Sequence, residues 1–228
     1  KALAWFCSCC LLTVAIINHT IDPEKINAQG FDNEQLSFVD QLVGSSHGLF
    51  VDLKKLHNLR DIRRAHSLYP TTAECTVIGS SRVWQISSVR TEKSLTSTCS
   101  SIINLGVDGG SLEDFLAFSE ITLRNKKAPK TIIFGVDPWS FNFYRNRDWK
   151  RLEPDYKKMK SRLSSTHGSY GDGFFDTASL LDLLNLRNFM ASVAYILRNG
   201  ETPKKILLNK EGPGLYDVML PDGSLLLP

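Results

Sequence analysis

The hydrophobic pattern divides the chain into three stretches of different period. Residues 2–17 (ALAWFCSCCLLTVAII) form an uncharged, nearly continuous apolar run that ends at the polar residues 18–20. A membrane span takes about 20 apolar residues, so the run reads as a signal anchor over residues 1–19 that has lost a few residues upstream, the sequence beginning at Lys1 without Met. A cleaved signal peptide, with its apolar stretch of about 7–15 residues and small-residue cleavage site, and a buried core helix are the other readings. No Ala-x-Ala-like site follows, and a core helix normally carries a polar face, so the anchor is preferred. Lys1 on the short flank favours an N-in orientation, which puts the remainder outside the cytoplasm.

Residues 20–70 follow a helical period and read as a helical juxtamembrane segment. Asp32 or Asn33 can cap a helix whose stripe is Leu36, Val39 and Val43 and which stops at Gly44. A second stripe, Phe50, Leu53, Leu56, Leu59 and Ile62, ends before Pro70.

From residue 71 to 228 the pattern alternates between strands and helices. Strands are expected at 75–78, 101–105 and 130–136, with helices at 82–90 and from the cap Ser111 to about 125. Strand, helix, strand, helix, strand at this spacing predicts a parallel sheet with right-handed crossovers, and sites in such sheets form at the carboxyl ends of the strands. Residues from about 140 to 176 read as an irregular, aromatic and charged insertion. An amphipathic helix at 177–198 and a hairpin turning at Asp222-Gly223 complete the chain.

Composition fits a globular protein, with 42% hydrophobic and 22% charged residues over 228. The formal charge of 27 minus 24, or +3, is too small to indicate a nucleic-acid partner. The basic run from Arg145 to Arg162 is diluted by Asp148, Glu153 and Asp155 and reads as a solvated surface. Cys75 and Cys99 each lie at or just before the start of an expected strand. If those strands are parallel neighbours, a disulfide is geometrically allowed and an oxidising compartment would permit it; two free buried thiols are the other reading. No phosphate-binding loop appears and no His/Cys/Asp cluster has metal-ligand spacing, so neither a metal nor a cofactor is expected.

The chemistry is concentrated in the turns that end the three strands. The first is Gly79-Ser80-Ser81-Arg82, which presents a serine where a helix N-terminus offers backbone N–H groups to a developing oxyanion. The second is Asn104-Leu105-Gly106-Val107-Asp108-Gly109-Gly110-Ser111, and the third Gly135-Val136-Asp137-Pro138-Trp139. Together these turns resemble the SGNH (GDSL-like) hydrolase superfamily, and within it the membrane-anchored envelope branch of DltD-like proteins, where Gly-Ser-Ser replaces Gly-Asp-Ser. The resemblance covers residues 75–139. It implies a flavodoxin-like three-layer α/β/α fold and acyl-ester chemistry, with Ser81 as nucleophile and the N–H groups of Ser81 and Gly109 in the oxyanion hole.

Two departures from the family pattern bear on activity. The third turn carries Asp137 where the family places an Asn donor, and an ionised carboxylate accepts hydrogen bonds without donating them. Asp137 would then orient Arg82 or hold the turn; Asn142 is a weaker substitute donor, and Ser80 and Arg82 are expected neighbours of the site. The family's Asp-x-x-His block is also missing from this sequence, and the economical expectation is that it lies beyond residue 228. The resemblance therefore implies an extracytoplasmic esterase or O-acyltransferase acting on acyl esters of an envelope polysaccharide. The alternative is a non-catalytic protein on the same fold that binds glycan or partners a membrane O-acyltransferase.

Overall fold

The computed structural model describes residues 2–21, 33–52, 59–69, 73–89, 97–125, 128–141, 148–167, 186–197 and 217–226. In chain order the helices are α1 (Ala2–Ile21), α2 (Asn33–Gly44), α3 (Leu59–Leu68), α4 (Leu112–Arg124), α5 (Glu153–His167) and α6 (Leu186–Leu197). The strands are β1 (Leu49–Val51), β2 (Cys75–Gly79), β3 (Ile102–Asn104), β4 (Thr131–Gly135), β5 (Asp217–Met219) and β6 (Leu225–Leu226). The chain divides into two compact units, residues 1–29 with 168–204, and residues 30–167 with 205–228.

In the first unit α1 packs against α6. Although α1 has 20 residues, its last turn is Asn18-His19-Thr20-Ile21, and Asn18 is buried. The apolar part, residues 2–17, rises only about 24 Å at ~1.5 Å per residue, short of a hydrocarbon core of about 30 Å. Among the described residues no helix is long and apolar enough to cross a membrane. This corrects the expectation of an N-terminal membrane helix over residues 1–19.

In the second unit β3, β2 and β4 form a parallel sheet in that order, paired from Cys75↔Ile102 to Val77↔Asn104 and from Cys75↔Thr131 to Gly79↔Gly135. All five residues of the central strand β2 are buried, as a parallel strand covered on both faces requires. On one face α4 places Phe115, Phe118 and Ile121 against Ile78, Ile103 and Leu105. Ser111 caps α4 in a full capping box with Asp114, so the expected start of that helix is observed.

The other face departs from expectation. Val83, Ile86 and Cys99 cover Cys75, Val77 and Ile102, and they lie in a single 3₁₀ turn (Ser81–Val83) and irregular segments where a helix over 82–90 was expected. Carbonyls that such a helix would use internally are taken up from outside: Asn104 Nδ2 donates to Ile86 O and the Leu225 N–H to Trp84 O, while Val83 O accepts both from Asn104 Nδ2 and, in a local turn, from the Ile86 N–H. The flavodoxin-like three-layer expectation is corrected accordingly. The described fold is mixed α/β, with a three-stranded parallel sheet carrying a helical layer on one face and a 3₁₀ turn with irregular chain on the other. Cys75 and Cys99 are joined by a disulfide beneath that second face.

A separate antiparallel sheet, ordered β1-β5-β6, pairs Leu49–Val51 with the C-terminal hairpin. Phe50 therefore lies in a strand, where a helical stripe was expected, and Leu53 and Leu56 fall outside the described residues. This sheet shares a core with α2 and α3, formed by Phe38, Val39, Leu42, Ile62, Met219 and Leu225. The buried face of α2 is Gln35, Phe38, Val39 and Leu42, while Leu36 of the expected stripe is exposed. Within the insertion expected to be irregular, a 3₁₀ segment (Asp148–Leu152) leads into the helix α5, which packs along α4. Asp155 pairs with Arg64 and Arg124, and Glu120 with Arg162.

Candidate functional site

The three turns converge because one side chain packs across all three strand ends. Val83, buried just after the Ser80-Ser81 turn, lies against the α-carbons of Gly79, Gly106 and Gly135. A Cβ built on Gly79 or Gly106 would fall within 2.9 Å of a Val83 methyl, and one on Gly135 would overlap it. The glycines are thus the room into which the turn after β2 fits. Beyond β3 the chain continues alongside β2, with the Leu105 N–H donating to Val77 O at 2.8 Å and the Val107 N–H to Gly79 O at 3.0 Å. Gly110 presses on the same carbonyl, where a Cβ would come within 2.8 Å of Gly79 O. Gly109, at φ 56°, makes the left-handed step between them.

At the first turn Ser80 is buried and Ser81 half-buried. The Ser80 hydroxyl donates to Asp137 Oδ2, while its oxygen accepts from the Arg82 N–H at 3.3 Å. Asp137 Oδ1 is ion-paired with Arg82 Nε at 3.3 Å, and the guanidinium lies 4.5 Å from the centre of the Trp139 ring. Asp137 is therefore an acceptor that ties the first turn to the third. Asn142 lies outside the described residues.

A second set of contacts fixes these turns from beneath, and the sequence reading did not find it. Asn104, fully buried, donates through Nδ2 to Val83 O at 2.6 Å and Ile86 O at 2.9 Å and accepts from the Gly106 N–H at 2.9 Å. Gly106 O accepts from Trp84 Nε1 at 3.0 Å and from Arg63 Nε at 3.1 Å. Arg63 also donates to Gly223 O in the hairpin turn, and Asp222 accepts from Ser87 and Ser88. Burial pushes the Arg63 pKa down to about 10. The same burial, reinforced by the Arg63 charge, lowers His66 to about 4. Asn104 was visible as part of the Asn-Leu-Gly turn; nothing in the sequence marked its amide as the bridge, or joined Arg63 to a hairpin 160 residues away.

Chemically, the arrangement offers a half-buried serine, Ser81, just beyond the carboxyl end of a parallel strand and next in sequence to an arginine held on an aromatic ring. Among the described residues no histidine is hydrogen-bonded to Ser81: His47 contacts Ser46 and His66 the Pro221 backbone. Among the described residues no group of three or more His, Cys, Asp or Glu is placed to hold a metal ion. No protein-family model, curated protein or solved structure matches this chain.

Proposed function

We propose that the chain carries the serine turn of an SGNH-like esterase or O-acyltransferase that acts on acyl esters, with an acylated envelope polysaccharide as the substrate class. The observation that carries this reading is the meeting of the Ser80-Ser81, Gly109 and Asp137 turns at the carboxyl ends of three parallel strands, around Val83. Ser81 would attack the acyl carbon, the N–H groups of Ser81 and Gly109 would receive the oxyanion, and a base would take the hydroxyl proton and return it to the sugar oxygen that leaves as the ester C–O bond breaks. Ser80 is unsuited to the same role, because it is buried and its hydroxyl is committed to Asp137. The disulfide between Cys75 and Cys99 supports an oxidising, extracytoplasmic setting.

A second reading is a non-catalytic glycan-binding or acyltransferase-partner protein, favoured by Asp137 standing as an acceptor in the place of the family's donor. A serine-directed fluorophosphonate separates the two. Covalent labelling that disappears in Ser81→Ala and survives in Ser80→Ala is the result expected of the enzyme. No labelling, or equal labelling of Ser81→Ala, defeats it in favour of the binding protein.

A further inference from the structure

Arg82 differs from the other arginines held at or beneath the site. Arg60 and Arg63 are buried, the first in a two-point pair with Asp114 and the second on backbone carbonyls. Arg82 is fixed on two sides, by Asp137 and by the Trp139 ring, yet its side chain is 68% exposed while that of Asp137 is 10% exposed. The carboxylate faces inward and the cation outward. A surface ion pair by itself contributes little and does not offset the rotamer entropy of an ordered arginine. A guanidinium held open to solvent beside a reactive hydroxyl has its fork of donors ready for a carboxylate.

We propose that Arg82 recognises a carboxylate on the substrate, so that the ester taken at Ser81 belongs to an acidic sugar of the uronate type. The proposal rests on the ester reading for its placement next to Ser81, and its observations are separate from those that carry that reading. Val136 and Phe141, on the same turn as Trp139, are 56% and 54% exposed. Exposed apolar side chains on the turn that carries Trp139 suit the face of a sugar ring. The competing role, a donor to the oxyanion itself, is disfavoured by exposure, since oxyanion donors act from fixed positions in a site closed to water.

The test uses the full chain with Ser81→Ala, so that no turnover intervenes, titrated calorimetrically with a short oligogalacturonate and with a neutral oligogalactan of the same length. The acidic oligomer should bind more tightly than the neutral one. Arg82→Gln should weaken it by about tenfold or more, Arg82→Lys should fall between, and the neutral oligomer should show no dependence on residue 82. Equal affinity for the two oligomers, or an Arg82→Gln variant that binds the uronate normally, overturns the proposal. Fluorophosphonate labelling in the Ser81 background is read in parallel: a loss of about 100-fold in Arg82→Gln assigns Arg82 to the oxyanion and overturns the substrate role. Arg82-dependent uronate binding in a protein that never labels at Ser81 upholds the acidic-sugar site and refutes the ester reading.

Discussion

Asn104 Nδ2 donates to the Val83 carbonyl at 2.6 Å, joining the turn that follows β2 to the turn that follows β3. The same amide serves Ile86 O and the Gly106 N–H, so it reaches three backbone groups near the sheet, of which Val83 O also accepts from the Ile86 N–H at 3.0 Å. Asn104→Ala removes all three bonds from a fully buried position, and leaving buried partners unsatisfied costs about 1–3 kcal/mol. Asn104→Asp should cost more, because a carboxylate cannot donate to the two carbonyls and would be buried against them. Urea denaturation of the three proteins orders them wild type, Ala, Asp; an Asn104→Ala midpoint equal to wild type would show that the bridge contributes nothing.

Gly135→Ala is expected to be among the most damaging small substitutions in the sheet. The added methyl would overlap Val83 Cγ1, and forcing extra volume into a packed site typically costs about 1–3 kcal/mol. If the clash with Val83 is the cause, Val83→Ala should recover part of the loss in the double variant, and a double-mutant cycle measures that coupling. Additive losses would place the damage elsewhere. Because Val83 follows Ser81 by two residues, the single variant should also lower fluorophosphonate labelling.

His66 gives acid sensitivity a definite window. It is 1% exposed and burial beside Arg63 lowers its pKa to about 4, against 6.5 in the unfolded chain. Between those values the unfolded state holds a proton that the folded state does not, so stability falls as pH drops from about 6.5 to about 4. A shift of this size corresponds to about 3 kcal/mol. Glu74 acts lower, since hydrogen bonds from Ser100 and then Lys130 bring its pKa from 4.5 to about 2, so its contribution is lost only below pH 4.5. Denaturant midpoints taken between pH 7 and 4 should slope in wild type and flatten in His66→Gln; an unchanged slope in the variant rules His66 out as the source.

The strands, the cap of α4 and the parallel order were legible because each depends on local signals: short apolar runs, Ser111 with Asp114 three residues on, and strand spacing. The three turns were legible for the same reason. What was not legible depends on distant partners. The expected helix over 82–90 has adequate local pattern, but its carbonyls are claimed by Asn104 and by Leu225, which lies 141 residues beyond Trp84 in sequence numbering (225 minus 84). The stripe assigned to α2 was rotated, because Phe38 and Leu42 face a sheet whose second strand, β5, comes from the other end of the chain. The apolar run at residues 2–17 shows the limit of hydropathy: length and composition suggested a span, while Asn18 is buried at the end of a helix that packs on α6.

The disulfide supplies a test of how much the face opposite α4 depends on covalent closure. Cys75 begins β2 and Cys99 precedes β3, 24 residues apart, and both are fully buried in the cluster with Val77, Val83 and Ile102. The described part of that face has a 3₁₀ turn and irregular chain where a helix was expected, and the cross-link closes the chain on that side. Closing a loop of this length removes unfolded-state entropy worth about 3 kcal/mol in the chain-entropy model. Replacing both cysteines by Ala should lower stability by about 2–4 kcal/mol, and reduction of the wild type under denaturing conditions should give a similar shift in midpoint. The same variant should label more slowly at Ser81, since Val83 belongs to both the disulfide cluster and the niche that seats the serine turn. Full stability and full labelling in the double variant would show that the packing of Val83 among Gly79, Gly106 and Gly135 holds the turn without the bridge.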